Sequence, residues 1–132
     1  MKAKPTLEHA LYVEGLPEGF VQHTPADFWT REAFALFQAA ARAGIIAFDD
    51  LAASWTAGPN YTKAALAYFC KRASKRLHLN NGAQTNWAPF ESMFHFKPKT
   101  LRRYLHNVQE RNPEGRQADT LIDTFFEQYG QQ

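Results

Sequence analysis

Apolar positions along this chain recur with the 3.6-residue period of a helix, and a strand's two-residue alternation is hard to find over any useful length. In "HTPADFWTREAFALFQAAARAG", Thr24 suits an N-cap, Pro25 the first helical position and Asp27 the first turn, while Gly44 closes the helix. Phe34, Phe37, Ala41 and Ile45 then share a face. The stretch "IIAFDDLAASWTAGPNYT" reads as a connector in which Asp49 caps a short helix through Trp55. From Thr62 the pattern sharpens, with Leu66, Phe69, Cys70, Ala73 and Leu77 forming one stripe. "NNG" at 80–82 is a turn, Asn86 is placed to cap "WAPFESMF", and "RNPEGR" is a loop before a last helix with Leu121, Ile122, Phe125 and Tyr129 on one side.

These elements predict an all-α fold, a single domain over residues 1–132 with about five helices and with residues 1–23 as an extended N-terminal arm. Within it, residues 86–109 have the outline of a helix-turn-helix. Phe90, Met93 and Phe94 supply an inner face, Phe96 tucks into the turn, and Pro98 starts a second helix whose Leu101, Tyr104, Leu105 and Val108 face inward. Glu91 and His95 depart from the general pattern, which favours a small residue and a glycine at those places. The residues left facing outward are Lys99, Thr100, Arg102, Arg103, His106 and Asn107. Arginine pairs with guanine, asparagine with adenine, and lysine and threonine with phosphate, so the set suits DNA as well as it suits a solvated face.

Charge distribution strengthens the first reading. The net charge is only +2, yet residues 1–60 hold four Lys or Arg against seven Asp or Glu, and residues 61–132 hold eleven against six. The second half is therefore where a polyanion would bind. A second basic group, Lys71, Arg72, Lys75 and Arg76, sits near the end of the helix after Thr62. There its charges either meet phosphate or favour the helix C-terminus.

Over residues 62–126 the order "KAALAYFCKRASKRL", "NWAPFESMF", "KTLRRYLHNVQ" and "ADTLIDTFF", with Trp87 among its spaced apolar residues, resembles the C-terminal part of RteC-type regulators of bacterial conjugative elements. The resemblance implies a helical DNA-binding protein controlling transcription on a mobile element, and it leaves residues 1–61 unexplained.

Other chemistry is poorly supplied. The five histidines show no metal-ligand spacing, no serine lies in a G-x-S-x-G elbow, and no glycine-rich phosphate loop is present, so neither enzyme activity, metal nor cofactor is expected. The lone Cys70 cannot form an internal disulfide and lies on a buried stripe, which points to a reducing cytoplasm. No apolar run is long enough for a membrane span. The partners expected are DNA and a second copy of the chain, the homodimer forming through the aromatic segment Phe20 to Trp29. The competing class is a helical protein-interaction module presenting Trp29, Trp55 or Tyr61.

Overall fold

The computed structural model describes residues 6–59, 61–79, 85–109 and 113–130, without the side chains of 106–109, 113–118 and 130. The turn expected at 80–82 lies outside the described residues. The fold is mostly helical. A π-helical turn (His9–Val13), α1 (Glu18–Gln22) and a 3-10 turn (Ala26–Phe28) lead into α2 (Arg31–Arg42); the strands β1 (Ile46–Asp49) and β2 (Ser54–Ala57) follow, and then α3 (Lys63–Arg76), α4 (Trp87–Met93), α5 (Thr100–Gln109) and α6 (Pro113–Gly130).

The segment expected to be an extended arm holds two short helical turns, His9–Val13 and Glu18–Gln22, because it has apolar side chains to bury: Ala10, Leu16, Phe20 and Val21 all lie in the core. Arg31 fastens it, with Nε donating to the Glu14 carbonyl at 2.8 Å and Nη2 to the Val13 carbonyl at 2.9 Å. That burial also removes the apolar supply assumed for a homodimer. Phe20, Val21 and Phe28 are spent inside the chain, and Trp29 is half-buried with its Nε1–H donating to the Thr24 carbonyl.

The first long helix starts six residues later than its sequence suggests. Thr24 does not cap it; its hydroxyl donates back to the Phe20 carbonyl at 2.7 Å. Thr30 is the N-cap, its Oγ1 accepting from the Ala33 N–H at 3.1 Å. Gly44 closes the helix as expected. It has φ +81°, and the Gly44 and Ile45 amides donate to the Ala41 and Ala40 carbonyls, the pairing of a Schellman stop.

Beyond Gly44 the expected short helix is instead a β-hairpin, an all-α expectation corrected by one two-stranded antiparallel sheet. The register pairs Ile46 with Ala57 and Phe48 with Trp55, and the Phe48 and Trp55 rings meet edge-on at 5.5 Å. Asp49 does cap, but it caps the hairpin turn: its Oδ1 accepts from the Leu51 and Ala52 amides at 3.0 and 3.3 Å. Gly58 then closes onto Gly44, its amide donating to the Ile45 carbonyl at 2.8 Å. A Cβ at position 58 would fall 1.8 Å from the Gly44 carbonyl oxygen, so only glycine fits.

The stripe predicted on α3 is buried at Leu66, Phe69, Cys70 and Ala73, with Leu77 half-buried. Thr62 caps this helix through the Ala65 amide at 3.1 Å. α3 touches α4, α5 and α6, with α5 its main neighbour. α6 begins at Pro113, inside the stretch expected as a loop, and proline suits a first helical position. Its inner face holds Ile122 and Phe126 with Phe125 and Tyr129 partly buried, whereas Leu121 is exposed, contrary to expectation. Aromatic contacts tie the layers together: Phe28 meets Phe37 and Phe90 at 4.9 Å each, and Phe69 meets Phe126 at 5.6 Å. Among the described residues, no helix is long and apolar enough to cross a membrane.

Candidate nucleic-acid interface

The connection between α4 and α5 is built from the end of α4 outward. Phe94 is the C-cap, and His95 follows at φ +60°, the left-handed position that glycine usually takes. The His95 amide donates to the Ser92 carbonyl at 3.4 Å and the Phe96 amide to the Glu91 carbonyl at 2.8 Å, so the helix stops in a Schellman motif carrying histidine in glycine's place. Asn86, at the other end of α4, does not cap with its side chain; its backbone amide donates to the Ser74 Oγ at 3.0 Å.

α5 starts at Thr100, two residues after Pro98, because Lys99 takes φ +71° and serves as the residue whose carbonyl receives the first helical bond, from the Arg103 amide at 3.2 Å. No Ser, Thr, Asp or Asn precedes Thr100 within three residues, and α5 has no acid in its first turn. The missing cap comes from Glu91. Its carboxylate, on a side chain only 6% exposed, accepts from the Leu101 amide at 3.2 Å through Oε2. A negative charge at a helix N-terminus is favourable, and it satisfies an amide that the helix cannot. The residue that breaks the general helix-turn-helix pattern is therefore the one that fastens the second helix to the first. Glu91 also lies close enough to Cys70 to matter: burial first, and the Glu91 charge second, push the thiol well above its usual range.

With that anchor, α5 turns Leu101 (0% exposed) and Leu105 inward and leaves Tyr104 half-buried. Tyr104 meets Phe96 edge-on at 6.0 Å, and the Lys63 ammonium from α3 stands about as far from both rings. Lys99, Arg102 and Arg103 are exposed, as is Lys97, and Thr100 is half-exposed. Among the described residues, none of these four cations is in an ion pair. The side chains of His106, Asn107 and Val108 lie outside the described residues.

The second basic group divides in two. Lys71 and Lys75 are exposed, while Arg72 and Arg76 are half-buried and engaged within the protein. Arg72 Nη1 lies 3.5 Å from Asp123 Oδ1 on α6, with its guanidinium 5.5 Å from the centre of the Phe126 ring. Arg76 Nη1 lies 3.8 Å from Glu32 Oε1 on α2, and its guanidinium sits 5.3 Å from the centre of the Tyr129 ring. Asp123 also accepts from the Tyr68 hydroxyl at 2.6 Å. Burial, then that hydrogen bond, push the Tyr68 hydroxyl up to about 12.

Sequence reasoning missed Glu91 as a functional support. The signal that could have found it is the absence of any local cap before Thr100, which obliges a polar group from elsewhere to meet the first amides. Among the described residues, no group of three or more His, Cys, Asp or Glu side chains could hold a metal. No protein family, curated protein or solved structure matches the chain.

Proposed function

We propose that this chain is a small DNA-binding protein that lays the outer face of α5 in the major groove. The observation that carries the reading is the cluster of four exposed cations, Lys97, Lys99, Arg102 and Arg103, none of them in an ion pair among the described residues, on and just before a helix whose opposite side is anchored by Leu101 and Leu105. Pairing of Arg102 and Arg103 with the acids of α6 would remove the basis of the reading; among the described residues no such pair is formed, and Asp123 is occupied by Tyr68 and Arg72. Thr100, His106 and Asn107 complete the proposed groove face. Lys71 and Lys75 serve as phosphate contacts, and Arg72 and Arg76 contribute indirectly by holding α3 against α6 and α2. The α4–α5 unit acts as the helix-turn-helix, and the resemblance of residues 62–126 to RteC-type regulators adds transcriptional control of a mobile element to the proposal.

Fluorescence anisotropy with a short random DNA duplex, repeated across a salt series, tests it. Removing one cation from a phosphate should lower the slope of log affinity against log salt by about 0.9, so Arg102→Ala and Arg103→Ala should each weaken binding and flatten the slope. A duplex RNA arm separates the two nucleic acids, since the deep, narrow RNA major groove does not admit a helix.

A second reading, a protein-interaction module, is favoured by one observation: Leu7, Tyr12 and Val13 are 53%, 80% and 57% exposed. That patch differs from the Trp29, Trp55 and Tyr61 surface expected from sequence, all three of which are half-buried against the core. Weak DNA binding that is flat in salt would favour this second reading.

A further inference from the structure

Lys63 stands where electrostatics within the chain does not favour a cation. It is the first residue of α3, and a helix N-terminus carries partial positive charge that repels an ammonium. The first turn of α3 holds no acid, and among the described residues Lys63 is in no ion pair. Lys63 is exposed, yet its ammonium stands 6.0 Å from the centre of the Phe96 ring and 5.9 Å from that of Tyr104, within range of both π faces.

Those rings border the cation cluster of the α4–α5 unit. Phe96 immediately precedes Lys97, Tyr104 immediately follows Arg103, and Tyr104 lies one turn from Thr100 on the same side of α5. Packing of α3 on α5 therefore brings a fifth cation to the margin of the proposed groove face, from a helix other than the one that enters the groove. Five cations gathered there, none in an ion pair among the described residues, match a polyanion in charge. A lysine side chain has much rotamer freedom to lose on meeting a phosphate, and two rings that already hold its ammonium reduce that loss. We infer that Lys63 contacts a backbone phosphate of the DNA whose major groove receives α5, with Phe96 and Tyr104 holding its ammonium in place. The inference rests on the DNA-binding reading and deepens it by adding the start of α3 to the interface.

Anisotropy of a labelled random DNA duplex, titrated with each variant between about 50 and 200 mM salt, supplies the test. Lys63→Ala should lower the slope of log affinity against log salt by about 0.9, so its deficit should grow about 3.5-fold from the top of that range to the bottom. Lys63→Arg, which keeps the charge, should retain the parent slope. Because Lys63 is exposed, neither variant should move the urea midpoint. Tyr104→Leu should weaken binding about two- to fivefold in the parent and leave affinity unchanged in a Lys63→Ala background, since the ring acts through the ammonium. A slope unchanged by Lys63→Ala while Arg102→Ala flattens it overturns the inference and leaves the DNA-binding reading intact; a parent slope near zero overturns both. A Tyr104→Leu loss that persists undiminished without Lys63 overturns the role given to the rings. Should Tyr104→Leu not fold, the slope of Lys63→Ala decides.

Discussion

The attachment of α5 can be broken at one atom. Glu91→Ala removes the carboxylate that accepts from the buried Leu101 amide. Hydrogen bonds to charged groups contribute about 1.5–3 kcal/mol, and the lost interaction with the helix N-terminus adds about 0.3–1 kcal/mol. Removing a buried charge recovers some desolvation, which lowers the upper end. The expected loss is therefore about 2–3 kcal/mol. With a urea dependence of about 2 kcal/mol per molar for a chain of this size, the denaturation midpoint should fall by about 1–1.5 M. Glu91→Gln keeps an acceptor oxygen but loses the charge and buries a new amide donor, so it should fall between the two. Circular dichroism in urea gives the ranking, and hydrogen exchange at the Leu101 amide locates it. If Glu91→Ala lies within about 0.5 kcal/mol of the parent, or leaves Leu101 exchange unchanged, the carboxylate is not what holds α5.

Three further outcomes follow from other contacts. Leu101→Ala should cost about 2–5 kcal/mol because the side chain is fully buried, whereas Arg102→Ala should be nearly neutral for folding; equal small losses in chemical denaturation would mean that α5 is turned the other way. Gly58→Ala should destabilise by about 3 kcal/mol or more, since its Cβ would run into Gly44 backbone rather than a flexible side chain, and a melting temperature unchanged from the parent would refute that packing. Tyr68 holds its proton up to about pH 12 in the folded chain against an ordinary value of 10.0, so its contribution is intact below pH 10 and is lost as pH rises through 12; ultraviolet titration of tyrosinate should show a late phase that Tyr68→Phe removes.

The helical faces were legible because their periodicity is long enough to read: Leu66, Phe69, Cys70 and Ala73 span two turns and are all buried. The start of α2 was not, because "TPAD" and "TREA" are both competent caps and nothing local chooses between them. Tertiary burial chooses, since Phe28 must reach full burial and does so from a 3-10 turn that stops before Thr30. The hairpin was hidden for a related reason. Each strand has four residues, and neither buries its positions alternately, so no two-residue period exists to be seen. What fixes it is the approach of Gly58 to Gly44, a contact between residues 14 apart that no window of hydropathy contains.

The basic residues carry the same lesson into the candidate site. Arg72 with Arg76 and Arg102 with Arg103 look alike in sequence, each lying on an amphipathic helix among apolar neighbours. Their environments differ because of what faces them. α3 lies between other helices, so two of its cations meet Asp123 and Glu32 and rest on Phe126 and Tyr129. α5 is docked through Leu101, Leu105 and the Glu91 latch, and its arginines are exposed and in no ion pair among the described residues. Since the inner and outer faces of α5 are separate, removing its arginines should cost binding without stability, and loosening Glu91 should cost stability first. A protein whose basic helix is merely solvated would show the second effect and lack the first.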